Sequence, residues 1–298
     1  MNNSASVIAA LIYHGLFDYP LTAEEIHKFQ TKKTTLVQTR KELEKLIKDR
    51  KILRKGEFYF LGKNKKLATI RKNRQKISAK KLKRAKFYAN ILKSIPTIKL
   101  VAISGALAME NSTMSDDIDF LIIAAKNSLW TTRFLSNIML LPFKRDSKSQ
   151  KQKDKACLNL FVDELGLKIK EQNLYKAHEI CQVKVLWDRN GTYQKFLNAN
   201  RWIKKFLPNW TPEYKSKLSK RGVTKWSPIP GNWSLLEILL KNFQLSYMKS
   251  KITTEKIGEH QLFFHPGHTQ SKVLKDYRNL TNKLFRSTIT PHGSRKKA

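Results

Sequence analysis

The stretch whose reading decides the fold is Ile98-Lys99-Leu100-Val101-Ala102-Ile103-Ser104-Gly105-Ala106, then ten residues, then Asp117-Ile118-Asp119-Phe120-Leu121-Ile122-Ile123-Ala124. Both parts hold apolar runs rich in β-branched residues, separated by a polar loop from Asn111 to Ser115, and both are expected to be buried strands. Alternate residues of a strand point the same way, so Asp117 and Asp119 project together while Ile118 enters the core. Two carboxylates held side by side repel each other and raise one pKa unless a cation sits between them. Mg²⁺ suits carboxylates combined with phosphate oxygens, and two such ions can hold both oxygens of an in-line phosphoryl displacement. Gly105, ending the first strand, lets the backbone approach a triphosphate closely.

Strand, Gly-Ala turn, ten residues and Asp-x-Asp in a second strand together resemble the polymerase-beta-type nucleotidyltransferase superfamily, over about residues 98–165. The resemblance implies metal-holding and catalytic roles for Asp117 and Asp119, and nucleotide contacts at Ser104, Gly105 and Ala106. It also implies two Mg²⁺ ions, a nucleoside triphosphate as substrate, and transfer of its nucleoside monophosphate to an acceptor. The family usually has Ser after the glycine, where this chain has Ala106 and carries Ser104 on the other side. The family takes a third carboxylate from a later strand, expected here as Cys157–Asp163. By alternation Cys157, Asn159, Phe161 and Asp163 share a face there, with Asn159 mid-strand and Asp163 at the end. Arg133, on a helix opened by Ser128, is a candidate phosphate contact or a plain surface arginine. Two readings stand: an active enzyme, or a regulator whose nucleotidyltransferase domain has lost its acid.

Upstream, three helices and a hairpin are expected in residues 1–62. Val7, Leu11 and Ile12 share one helical face, and Thr22-Ala23-Glu24-Glu25 reads as a capping box. Thr34 to Asp49 forms the third helix, and Ile52-Leu53-Arg54 with Phe58 to Leu61 forms the hairpin. This order resembles a winged helix-turn-helix, which implies groove contacts by Thr35, Gln38, Thr39 and Lys41 and phosphate contacts by Arg54 and Lys55 on DNA or RNA. A winged helix used for protein contacts is the alternative.

Residues 63–97 read as a basic connector. No acidic residue lies between Glu57 and Glu110, and Leu82, Ala85, Tyr88 and Leu92 recur at helical spacing in its latter half. A cationic helix face without Glu–Lys pairs favours a polyanion partner over a merely solvated surface. The whole chain points the same way: 59 Lys plus Arg against 23 Asp plus Glu give a net charge of +36.

The fold class expected is α+β and multidomain: winged helix (1–62), connector (63–97), nucleotidyltransferase-like core with a mixed sheet (98–170), and a helical domain with a basic tail (171–298). Helices are expected at 173–188, 192–207, 233–248 and 270–285, the third with Leu236, Leu239, Leu240, Phe243 and Tyr247 as its core stripe. His260, His265 and His268 lack the partners of a metal site and read as loop or core residues. Two cysteines, with no secretory signal and no membrane-spanning run, set the expectation of a reduced, cytoplasmic protein.

Overall fold

A computed structural model of the chain describes residues 2–62, 64–145, 152–214, 233–249, 256–264 and 268–289. Lys63, residues 146–151, His265 and Arg295-Lys296-Lys297 lie outside the described residues.

The chain opens with helices α1 (Asn3–Gly15), α2 (Ala23–Phe29) and α3 (Leu36–Lys48), closed by the hairpin β1 (Leu53–Lys55) and β2 (Phe58–Phe60). Capping boxes at Thr22/Glu25 and Thr35/Gln38 start α2 and α3, each satisfying amides that the first helical turn leaves open. Leu21 bridges Tyr59, tying the α1–α2 connection to the hairpin.

Then come α4 (Leu67–Leu92), β3 (Ile98–Ile103), the short α5 (Gly105–Ala108), β4 (Ile118–Ala124), α6 (Leu129–Met139) and β5 (Ala156–Asp163). The rest comprises α7 (Leu174–Gln182), β6 (Lys184–Asp188), α8 (Thr192–Ala199), α9 (Trp233–Met248), β7 (Lys256–Ile257), β8 (Gln261–Phe263) and α10 (His268–Ile289). The architecture is α+β, with a mixed six-stranded sheet in the order β6-β3-β4-β5-β8-β7. Strands β4 and β5 run parallel; the other neighbours are antiparallel.

Alternation divides the sheet between two cores. Val101, Ile103, Ile118, Phe120 and Ile122 pack with Ala85, Tyr88 and Leu92 of α4 and with Leu129 and Trp130 of α6. Leu100, Ala102, Leu121, Ile123 and Val162 face the other way, toward Ala177 and Ile180 of α7 and Phe196 of α8. That second core is continuous with Val7, Leu11, Ile26 and Leu43, so the first 62 residues share apolar packing with the sheet. Tyr13 stacks on His178 of α7 with ring centroids 3.8 Å apart.

Several expectations are corrected. Residues 184–188 form an edge strand, not a helix: Leu100 pairs Asp188 and Ile103 pairs Lys184, which covers the otherwise open edge of β3. With β7 and β8 also in the sheet, the 171–298 segment is not purely helical. Helix α8 stops at Ala199 and gives way to a 3₁₀ turn, Arg201–Lys205. The apolar stripe of α9 is largely outside: Leu239, Phe243 and Tyr247 are each more than 60% exposed. The helix docks instead through Glu237, Gln244 and Met248. Glu237 accepts the amides of Trp130 and Thr131, capping α6 from a distance, while the Ser128 hydroxyl donates to the Ala125 carbonyl rather than capping.

Candidate active site

The first strand of the deciding stretch ends on Ser104, whose amide donates to the Asp119 carbonyl at 3.0 Å. Gly105 then turns at φ +61°, and a β-carbon there would stand 2.8 Å from Asp119 Oδ2. Any larger residue would meet both an unfavourable backbone and the carboxylate, so the close approach requires glycine. Ala106 follows, half-buried, within the short α5.

Asp117 and Asp119 flank Ile118, which is fully buried on the opposite side of the sheet. Their carboxylates and the Cys157 thiol lie within 4.8 Å of one another, a group that could hold a metal ion. The parallel pairing of β4 with β5, which sets Asp119 opposite Cys157, brings the three together. Burial, then the charge of Asp117, then Glu179 of α7 raise the Asp119 pKa to about 7. Burial followed by the same two aspartates pushes the Cys157 thiol up to about 12. At neutral pH the thiol therefore keeps its proton and Asp119 is only partly ionised, and a cation between the carboxylates would displace that proton and restore both charges.

Two side chains already touch the acids. Arg145 Nη1 donates to Asp117 Oδ2 at 2.8 Å and lies 3.7 Å from Cys157 Sγ. Asn159 Nδ2 donates to Asp119 Oδ1, and its own Oδ1 accepts the Cys157 thiol. The oxygens of Asp117 and Asp119 fit a hard divalent ion, whereas the amide nitrogen of Asn159 adds no negative ligand.

The loop that delivers Asp117 is fixed from α4. Four side chains on one face of that helix reach it in succession: Arg71 donates to the Met109 carbonyl, Arg74 to Asn111, Ser78 accepts the Ser112 amide, and Lys81 donates to the Met114 and Asp116 carbonyls. Lys81 is buried and also pairs with Asp154 at 2.8 Å. Asp116 accepts the Thr113 amide and hydroxyl, so its carboxylate closes the turn. Half of the connector's helix is thus structural rather than free to meet a polyanion.

Asp163 stands apart from the acid pair, contrary to the shared-face expectation. Asp119 pairs with Cys157 but Leu121 with Leu160, so β5 carries one extra residue there. This bulge puts Leu160 and Val162 on the acid side and turns Phe161 into the opposite core. Asp163 is buried and accepts the amides of Leu165 and Gly166 and the ring nitrogen of His260. Arg133 is likewise committed elsewhere: it donates to Gln244 of α9 and lies over the Phe264 ring, and burial lowers its pKa to about 10.

In the first 62 residues, Thr35, Gln38 and Lys41 are exposed along α3. Thr39 is not: it is buried, bonded to Gln30 and to the Thr35 carbonyl, and cannot reach a nucleic acid. Arg54 and Lys55 are exposed on the hairpin, Arg54 donating to the Gly56 carbonyl and Lys55 to that of Lys65.

Sequence reasoning missed Arg145, Glu179 and the role of Lys81. Arg145 carries no signal beyond lying in a basic stretch; Glu179 is reachable only once α7 is known to cover the acid side of the sheet. No protein-family model, curated protein or solved structure matches the chain.

Proposed function

We propose that the chain is a metal-dependent nucleotidyltransferase of the polymerase-beta type, which transfers a nucleoside monophosphate from a nucleoside triphosphate to a hydroxyl acceptor. The observation that carries this reading is the contact between the Gly105 bend and Asp119, with the Asp117 carboxylate beside it. Asp117 and Asp119 would hold Mg²⁺, which supplies charge neutralisation at the phosphates. The Gly105-Ala106 turn leaves room for the triphosphate against the backbone. Arg145, already at Asp117, is placed to neutralise phosphate charge when the ion takes its position. Three helices closed by a hairpin support a winged helix over residues 1–62, with Gln38, Lys41, Arg54 and Lys55 toward DNA or RNA.

One observation favours a second reading. Asn159 bonds Asp119 where the superfamily resemblance expects a third acid, so no base is supplied from that position. The chain would then be a regulator that binds a nucleoside triphosphate without turning it over.

The two readings separate in one experiment. The purified protein is incubated with each labelled nucleoside triphosphate and Mg²⁺, with and without nucleic acid, beside an Asp117→Ala/Asp119→Ala control. Label transfer that the substitutions abolish supports the enzyme. Triphosphate binding without transfer supports the regulator, and neither binding nor transfer rejects both.

A further inference from the structure

We infer that the groove walled by α4 on one side and by Phe143, Lys153 and Lys155 on the other binds an unstacked, single-stranded polynucleotide. The groove has a volume of about 420 Å³ and is lined by Lys80, Lys83, Arg84, Phe87 and Tyr88 together with those three residues.

Its chemistry is unusual in two respects. Five of the eight lining side chains are cationic and none is acidic. Asp154, between two of the lining lysines, pairs with Lys81 at 2.8 Å and Arg84 at 3.5 Å, and among the described residues the four lining lysines have no carboxylate partner. Cations crowded together without counter-ions repel, and a polyanion relieves that repulsion while releasing its own counter-ions. Among these charges stands Phe87, half exposed, its ring edge-on to Phe143 with centroids 5.6 Å apart. Tyr88 packs behind Phe143 at 5.4 Å and donates its hydroxyl to the Asp154 carbonyl, so the aromatic floor is braced.

A phosphate-only partner such as a duplex would use the lysines and leave Phe87 in water. An unpaired strand uses both, since a base freed from its own stack can lie on the exposed ring. Phe143 is two residues from Arg145, and Lys155 is two residues from Cys157, the side chains that meet Asp117 and Asp119. The groove lies on the α4 side of the sheet and the acids project from the other, so a strand bound here reaches them only past the end of β4. Its role as the acceptor rests on the transferase reading; its binding does not.

The test is fluorescence anisotropy with the full chain in EDTA and without nucleotide, so that turnover plays no part. Probes are labelled oligo-U, oligo-dT, the oligo-dT backbone lacking bases, and a duplex of equal length. Single strands are expected to bind tighter than the abasic backbone and the duplex; the better of oligo-U and oligo-dT identifies the kind of strand. Phe87→Ala should weaken single-strand binding about tenfold, as loss of one stacked base implies, and leave duplex binding unchanged. Lys80→Gln/Lys83→Gln should lower the slope of log affinity against log salt by about 1.4, the value for two single-strand phosphate contacts. All three positions are exposed, and unchanged melting curves would confirm that the variants fold. The inference is overturned if these variants bind single strands like the parent, or if the abasic backbone binds as well as oligo-dT. Capture by phosphatidylserine vesicles without oligonucleotide binding would likewise reject it. Single-strand binding with no nucleotide transfer would leave the groove standing and remove the transferase reading alone.

Discussion

Asp119 and Asp163 occupy neighbouring strands of one sheet, and their surroundings are opposite. Asp163 is enclosed by donors: two backbone amides of the following turn and the ring of His260, all at 2.9 to 3.0 Å. Asp119 receives the Asn159 amide but lies against acids, with Asp117 alongside and the charge of Glu179 acting on it, and burial with these charges raises its pKa to about 7. A buried carboxylate with a full set of partners organises the chain around it. One held against other acids destabilises the fold, and such an arrangement persists where a ligand supplies the missing charge. The same division runs through α4, whose Arg71, Arg74 and Lys81 are turned inward onto the loop while Lys80, Lys83 and Phe87 are turned out.

The sharpest way to test the contrast is to remove each acid. Asp163→Ala strips two amides and a histidine of their acceptor in a buried site and should destabilise the protein by about 3 kcal/mol, read by urea denaturation. A loss below about 1 kcal/mol would mean that Asp163 is not the structural member of the pair. Next in size is Lys81→Met, which frees two loop carbonyls and leaves Asp154 to Arg84. It should cost about 2 kcal/mol and weaken divalent-ion binding at the acid pair, because Asp117 follows directly on the released loop.

Asp119→Asn should act in the opposite direction. The folded-state pKa of Asp119 lies above that of an unfolded aspartate, so the folded state holds its proton more tightly, and stability falls as pH rises from about 4 to about 7. Without divalent ions, the variant should be more stable than the parent by about 1–2 kcal/mol at pH 8, and the gap should close toward pH 4. Half-buried Glu25, also raised to about 7, gives both proteins a slope of the same sign, so the difference between them is the quantity to measure. A variant less stable than the parent at pH 8 would contradict the account of Asp119. The smallest effect is expected at Glu237→Ala, which uncaps α6 and should cost about 1 kcal/mol in thermal melts without changing divalent-ion affinity.

Local chemistry made part of this legible from sequence. The capping box at Thr22, the hairpin after α3 and the β4 strand are all written in residues close together in the chain, and so is the alternation that puts Asp117 and Asp119 on one side. What could not be read depends on distant segments. Lys184-Val185-Leu186-Trp187-Asp188 continues the helical pattern of α7 and becomes a strand because β3 presents an open edge. The bulge that separates Asn159 from Asp163 arises from the pairing of β5 with β4, and strict alternation across it assigns Phe161 and Asp163 to the wrong side. Glu237 caps a helix 106 residues earlier, and no local pattern announces that. The misjudged stripe of α9 shows that apolar periodicity marks a face without marking what covers it.

We propose that the acid pair at the Gly105 bend holds a divalent ion with a nucleoside triphosphate, and electron paramagnetic resonance of Mn²⁺, titrated with protein in the presence of each nucleoside triphosphate, reads that binding. Bound Mn²⁺ is expected in the parent and should be eliminated by Asp117→Asn/Asp119→Asn. Mn²⁺ binding that is the same in parent and double variant would contradict it.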